Sequence, residues 1–197
     1  MDTIPLFPLH AVLFPHGRMP LQVYESRYLD LISRCMKENS GFGVVWLKQG
    51  PEAYQSNGVT SLQLGQFGTY ARVVDWDSLP NGLLGVTIEG SDRFRLLSSY
   101  QKNDHLHMGE VEWIATAAKT QLPENFAELE GLLSTLLDHP HVTRLKLDPV
   151  VEDVETLGCV LAQLLPIDES IKFDLLTTVE PLDRLDRIMA LLDQYSE

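Results

Sequence analysis

The residues best suited to metal chemistry are two histidines separated by one residue, His105 and His107. Side chains two apart on a β-strand point to the same side, so both imidazoles could bind one ion, with Asp104 or Glu110 as a third ligand. A metal-dependent hydrolase is therefore one interpretation. We favour a simpler one, an edge strand whose polar side chains point outward, because nothing in the sequence specifies the third ligand.

Motifs for nucleotide binding or nucleophilic catalysis are absent from the sequence. It contains no Gly-x-x-x-x-Gly-Lys-Ser/Thr loop, no Gly-x-Gly-x-x-Gly and no Gly-x-Ser-x-Gly. The two cysteines, Cys35 and Cys159, lie far apart in apolar, helix-like segments, and we interpret both as buried free thiols. The sequence therefore predicts a protein that is not an enzyme and needs no cofactor.

The charge of the chain disfavours two classes of partner. Its 197 residues include 15 basic and 28 acidic side chains, a net charge of −13, and residues 116–197 hold 6 of the basic and 16 of the acidic ones. Nucleic acids and anionic membranes are bound through clustered lysines and arginines, so we expect neither as a partner.

No apolar run approaches the ~20 residues of a membrane span, and the N-terminus is atypical of a signal peptide. We expect a cytoplasmic protein.

Large apolar side chains near turns are the best candidates for contact with a protein partner. Trp76 and Leu79 flank the turn segment DSLPNG, where the chain itself offers little to bury them. Phe14 and Met19 lie in a proline-rich segment near the N-terminus. We predict these four residues as contacts for a polypeptide. The alternative is that the hairpin tip folds back on the second half of the chain.

The elements that position these residues differ between two parts of the chain. Before residue 116 lie 11 of the 13 glycines, and frequent turn signals with alternating apolar residues predict short strands. Strands are expected at 42–47, 68–76, 82–90, 93–100 and 105–114, with a hairpin turn at 80–82 and another turn near Asp92. One helix is predicted at about residues 25–37. Its buried side carries Tyr28, Leu31, Ile32 and Cys35.

The second part has apolar residues at helical spacing. Helices are predicted at 123–138, 148–165, 168–176 and 180–195. Asp148 and Pro149 suit the N-cap and the first position of the second of these helices. The two patterns together predict a β-rich unit over residues 1–118 and an α-helical bundle over residues 119–197.

Proline interrupts the apolar segment FPLHAVLFPHGRMPLQVYESRY, residues 7–28. Pro8, Pro15 and Pro20 cannot donate a hydrogen bond to a neighbouring strand. Each is therefore expected to limit an apolar segment and to lie at an edge, a strand start or a turn. A turn is predicted at His16-Gly17, before the chain enters its first helix.

The same segment resembles the start of the Lon N-terminal (substrate-binding) domain family. That family's order of Leu-Phe-Pro-Leu, Phe-Pro, Pro-Leu and Phe/Tyr-Glu-x-Arg-Tyr is matched at residues 6–9, 14–15, 20–21 and 24–28. The resemblance continues in GFGVVWL, GTYARVV and LPNGLLGVTIEGSDRFRLL, and in the helical segment LAQLLPIDESIKFDLLTTVEPLDRLDRI. His16 departs from the family, where glycine usually follows the second Phe-Pro.

The resemblance implies an α+β fold, a PUA-like and mostly antiparallel β pseudobarrel with one inserted helix, followed by a C-terminal helical bundle. It also implies a non-catalytic module that binds unfolded polypeptide segments or a protein partner and acts in protein quality control. The sequence has no counterpart of the family's ATPase and protease domains, so a freestanding copy is expected to bind without cutting. An RNA-binding PUA-like protein is the alternative, and the acidic composition disfavours it.

Overall fold

Six strands form a single sheet that closes on itself. The computed structural model describes residues 1–50, 62–116, 119–147 and 149–195. The strands are β1 (Asp2–Leu9), β2 (Arg18–Val23), β3 (Phe42–Gln49), β4 (Gln63–Ser78), β5 (Leu84–Gln101) and β6 (His107–Trp113). Neighbours follow the order β2-β5-β4-β3-β1-β6, and β6 also pairs with β5, so five strands close a ring and β2 extends from it. Among these six strands, β1 and β3 pair in parallel and the other pairs are antiparallel.

The two strands predicted at 82–90 and 93–100 are one continuous strand, β5, and the turn predicted near Asp92 is wrong. The first part of β5 pairs with β2 and β4, whereas its second part pairs with β4 and β6. The change of neighbour occurs around Gly90, where a Cβ atom would lie 2.3 Å from the carbonyl oxygen of Phe14. Glycine here permits close approach of two backbones rather than a reversal of the chain.

β1 contains two prolines and still pairs on both sides. It pairs with β6 over residues 2–6 and with β3 over residues 6–9, so Pro5 and Pro8 each have a strand partner on one side only. A missing N–H is tolerated at such a local edge, so Pro8 lies at an edge as expected, although β1 continues to Leu9. The turn at His16-Gly17 is confirmed by the bond from the Gly17 N–H to the Phe14 carbonyl, 3.1 Å.

Phe94 fills the interior of the ring. It packs with a small group of buried residues, Ile4, Leu6, Val45 and Val111. Two glycines on neighbouring strands make room for its ring, because a Cβ atom would lie 2.7 Å from the Phe94 ring at Gly43 and 2.5 Å from it at Gly68. The barrel is therefore a packed core and not an open channel.

The inserted helix, α1 (Ser26–Glu38), packs against strands β1, β3, β4 and β5. Its buried residues are Tyr28, Leu31, Ile32 and Cys35, as the sequence predicts. The Tyr28 ring stacks on Phe7 of β1 with centroids 4.0 Å apart. The helix ends at Asn39, which adopts a left-handed conformation with φ 50° and donates to the Cys35 carbonyl.

The second part of the chain is helical. A one-turn 3-10 helix (Glu124–Phe126) precedes α2 (Ala127–Leu137), α3 (Pro140–Thr143), α4 (Val154–Leu164), α5 (Glu169–Thr177) and α6 (Pro181–Tyr195). The predicted start of α4 is wrong. Asp153 is its N-cap and accepts from the Thr156 N–H at 2.8 Å, whereas Pro149 lies before the helix and Asp148 lies outside the described residues.

The helices pack against the barrel through a common apolar core. Val12 and Phe14, from the loop after β1, are buried in the same cluster as Leu157, Leu161 and Leu185 of the helices. The predicted division between residues 118 and 119 stays a prediction, since residues 117 and 118 lie outside the described part of the chain. Among the described helices, none combines the length and the apolar character needed to cross a membrane.

Gly68→Ala tests the packing of Phe94. The added methyl group would meet both the Phe94 ring and the Val44 carbonyl oxygen at 2.5 Å, so we expect the free energy of unfolding to fall by about 1–3 kcal/mol. Urea unfolding followed by circular dichroism measures the change.

Gly131→Ala is the matched control. Gly131 lies inside α2 and has open space around its Cβ position. Its replacement should raise the free energy of unfolding by about 0.5–1 kcal/mol. Equal effects of the two substitutions would contradict the described barrel interior.

Candidate functional site: an apolar face on the β2–β5–β4 sheet

Three strands continue beyond the closed ring as an open sheet. In the described residues, the pairing of β3 with β4 reaches Ala71, and the rest of β4 pairs with β5 alone. Leu21 of β2 and Trp76 of β4 both lie opposite Val86 of β5. Residues directly opposite each other in an antiparallel sheet point to the same side. Leu21, Val86 and Trp76 therefore form one apolar row, and Met19, Ile88 and Val73 form the next.

We call this side of the sheet the Trp76 face; it comprises Met19, Leu21, Val73, Val86, Ile88 and Trp76. A β-bulge determines its composition. The register of β4 against β5 shifts between Val73 and Asp75, which leaves Val74 as the extra residue. Trp76 is three positions after Val73 and would point to the opposite side in a regular strand, and the bulge reverses this. With it, the indole joins a row whose central member, Val86, is buried, while Trp76 itself remains 61% exposed.

The structure brings two of the four predicted contact residues together. Met19 and Trp76 share the Trp76 face. The side chain of Leu79 packs 3.0 Å from the Cβ position of Gly85, and Gly85 points to the opposite side from its neighbour Val86. Leu79 therefore lies across the sheet from Trp76. Whether these side chains contact a partner stays a prediction.

Phe14 requires a correction. Its side chain has no exposed surface and lies in the core shared with the helices. Its N–H donates to the Oε1 of Gln163 at 2.9 Å. Phe14 was predicted as a contact residue, but its loop is covered by α4, so Phe14 joins the barrel to the helices and offers no surface to a partner.

Sequence reasoning missed Leu21 and Tyr24. Leu21 also lines a groove of about 160 Å³ between β1, β2 and the start of α1, together with Phe7, Leu9, Val23, Tyr24 and Tyr28. Tyr24 is one of the exposed large apolar side chains. The alternation of Met19, Leu21 and Val23 along β2 is the signal that could have found this surface.

The surroundings of Trp76 are acidic. The N–H groups of Trp76 and Ser78 donate to the Oδ1 atoms of Asp75 and Asp77, at 3.0 and 2.7 Å. Lys146 lies 2.9 Å from the Asp75 Oδ2 atom, and its hydrogen bond and charge lower the pKa of that carboxyl group. Asp77 lies opposite Gly85 and Asp75 opposite Thr87, so both carboxylates point to the other side of the sheet from Trp76.

A buried ionic cluster joins the barrel to the helices. Glu155 of α4 lies 3.4 Å from Arg93 of β5 and 2.7 Å from Arg184 of α6. Arg93 also donates to the carbonyls of Leu176 and Thr178, at 2.9 and 2.8 Å. Burial lowers the pKa of Arg93, and the neighbouring Arg184 lowers it further. No local sequence pattern indicated that Arg184 would be fully buried.

The two histidines considered as metal ligands do not share a strand face. His105 lies in the turn before β6 with φ 64°, and His107 is the first residue of β6. Burial lowers the pKa of His107, with a smaller effect from Arg27. Within residues 1–50, 62–116, 119–147 and 149–195, no group of three or more His, Cys, Asp or Glu side chains is arranged to hold a metal ion.

Both cysteines are buried free thiols, as predicted. Burial raises the pKa of the Cys159 thiol to about 12 and raises that of Cys35 as well. The thiolate is the nucleophilic form of cysteine. Neither residue is therefore poised for nucleophilic catalysis at neutral pH.

Comparison with known proteins agrees with this architecture. The family model for the ATP-dependent protease La (LON) substrate-binding domain matches residues 3–194. The chain belongs to the LON substrate-binding domain family. A Lon N-terminal domain protein from Xanthomonas campestris has a similar structure, with a TM-score of 0.73 and 32% identity over 96% of this chain and 98% of that chain. The α+β fold expected for the family is thereby confirmed.

More distant relatives share the fold or part of the sequence. The N-terminal domain of the Mycobacterium avium complex Lon protease has a TM-score of 0.61 at 12% identity, covering 96% of this LON domain and 97% of that chain, which shows the fold alone. The Lon protease of Brevibacillus choshinensis is 28% identical over 98% of this chain and 25% of its own length. The chain thus spans about a quarter of the length of the curated relatives it matches.

Glu155→Gln tests the ionic cluster of the LON domain. The substitution leaves two buried guanidinium groups without their carboxylate, so we expect the free energy of unfolding to fall by about 3–5 kcal/mol. Glu152→Gln is the control, because its ion pair with Lys119 is exposed on both sides and should change stability by less than about 0.5 kcal/mol. Urea unfolding measures both, and similar losses would refute the role of Glu155.

Alkylation tests the state of the thiols. With a pKa of about 12, only about one Cys159 thiol in ten thousand is ionised at pH 8, and the side chain is also buried. Iodoacetamide should leave both cysteines of the folded protein unmodified and modify both in urea, as measured by mass spectrometry. A thiol introduced on the exposed surface of α2 by Ser134→Cys should react in the folded protein. Rapid labelling of Cys159 without urea would contradict the described burial.

Proposed function

We propose that this LON domain is a non-catalytic module that binds unfolded polypeptide segments through the Trp76 face and serves substrate recognition in protein quality control. The observation that carries the proposal is the indole of Trp76, which is 61% exposed at the end of a row whose other members, Leu21 and Val86, pack in the core that contains α1. An exposed apolar surface continuous with a rigid core is typical of a protein-binding site. The family is defined by substrate binding.

Side-chain contacts are expected to dominate over addition of a strand. In the described residues, β2 pairs with β5 alone, but Pro20 removes one donor from its free side. On β4, the carboxylates of Asp75 and Asp77 already accept from the N–H groups of Trp76 and Ser78. Carboxylates and proline on outer strands discourage pairing with another chain. The peptide would instead place apolar side chains on the Trp76 face and in the groove beside Leu21.

Absence of catalysis is supported by the buried thiols and by the positions of the histidines. Cys159 has a raised pKa, and His105 and His107 do not form a ligand pair on one strand face. A cytoplasmic location stays a prediction from the sequence. RNA binding is not proposed, because the chain carries a net charge of −13 and RNA binding usually requires a basic surface.

Trp76→Ala tests the binding surface. The probe is a reduced, carbamidomethylated protein, which stays unfolded and gains no charge at its cysteines. Burial of a large apolar side chain contributes about 1.5–3 kcal/mol, so the substitution should weaken binding about tenfold or more. Isothermal titration calorimetry measures the dissociation constant.

Tyr100→Ala is the matched control. Tyr100 is 52% exposed and pairs with Met108 at the far end of β5, so its loss should leave binding unchanged. Circular dichroism checks that both variants remain folded. The proposal that the Trp76 face binds polypeptide would be refuted if the wild-type domain did not bind the probe, or if both substitutions weakened binding equally.

A further inference from the structure

A second groove lies away from the Trp76 face, where the start of β1 meets the end of β6. Its volume is about 620 Å³, and its walls include Asp2, Ile4, Tyr70, Asp92 and Trp113. Tyr70 belongs to the part of β4 that pairs with β3 inside the closed ring, whereas Trp76 belongs to the open sheet. We call this cavity the Trp113 groove.

The aromatic wall of the groove is held in place by the barrel. The Trp113 ring meets Tyr70 edge to face at 5.5 Å and Phe94 edge to face at 6.0 Å. Its indole N–H donates to the Oδ2 atom of Asp2 at 2.5 Å, and the Tyr70 hydroxyl accepts from the Gly41 N–H at 2.7 Å. Both rings are therefore oriented before any ligand arrives, while Trp113 remains 39% exposed.

The charged side chains that line the groove are both acidic. Asp2 and Asp92 contribute carboxylates, and none of the described residues that line the groove is basic. Neither carboxylate forms an ion pair within the described residues. Arg93 follows Asp92 in sequence, but its guanidinium is buried against Glu155 and the carbonyls of Leu176 and Thr178. The groove thus combines aromatic faces with negative charge that no side chain of its own walls neutralises.

We propose that the Trp113 groove binds the guanidinium group of an arginine in an extended polypeptide. A planar cation can stack on the indole while it donates hydrogen bonds to a carboxylate. Lysine fits less well, because its ammonium is a strongly hydrated point charge without a flat face. The apolar side chains of Ile4 and Ile114 in the same walls would contact residues that flank the arginine. Binding at this groove does not require the Trp76 face.

A pair of peptides tests the proposal. The first is an acetylated and amidated peptide, Gly-Leu-Arg-Leu-Gly; the second replaces arginine with citrulline, which keeps the shape and removes the charge. The readout is the NMR signal of the Trp113 indole N–H, assigned from its loss in Trp113→Phe. The arginine peptide should shift this signal to saturation, and the citrulline peptide should bind about threefold to tenfold more weakly.

Two substitutions separate specific recognition from general attraction to an acidic protein. Asp92→Asn should weaken the arginine peptide about threefold or more. Asp77→Asn, which removes an exposed carboxylate on the open sheet, should leave the affinity unchanged. Equal affinities for the two peptides, equal effects of Asp92→Asn and Asp77→Asn, or no saturation at about 10 mM peptide would overturn the proposal.

Discussion

The carboxylate of Glu155, held between the guanidinium groups of Arg93 and Arg184, is the interaction on which the arrangement of the fold depends. Burial of three charged groups costs several kcal/mol for each ion, and this cost is offset only when the remaining donors are satisfied. Here they are satisfied by main-chain carbonyls of Leu175, Leu176 and Thr178, at the end of α5. This cluster therefore fixes one strand and three helices to each other, because the loss of any one partner would leave a buried charge unpaired.

This attachment determines which surfaces remain open. The loop after β1 is covered by α4 and α5, where Val12 N–H donates to Glu169 and Phe14 N–H donates to Gln163. The helices after β6 thus cover one side of the barrel, and α1 packs in a separate core with residues of β1, β3, β4 and β5. The β2–β5–β4 sheet continues beyond the ring, where Leu21 packs partly against the core of α1 and Trp76 stays 61% exposed.

Local patterns predicted elements well and long-range placement poorly. The stripe of α1 was predicted residue by residue, because helical periodicity is set by neighbours three and four apart. The turn near Asp92 was wrong, since a glycine can mark close approach of a distant backbone as well as a reversal. Phe14 was predicted to contact a partner because no pattern of neighbouring residues indicates that α4 will cover it. Trp76 was assigned to a contact surface from its position beside a turn, but the side to which it points depends on the bulge at Val74.

The sequence by itself determined the family, the change from strands to helices along the chain, the acidic character of the chain and the burial of both thiols. These properties follow from residue types and short spacings, which need no knowledge of distant contacts. Only the tertiary structure decided that Arg93 and Arg184 share one carboxylate, that Met19, Leu21 and Trp76 share one face, and that Asp2, Asp92 and Trp113 line one groove. Each of these groups joins strands or helices far apart in the chain, and their proximity is set by sheet register and packing, which no local pattern encodes.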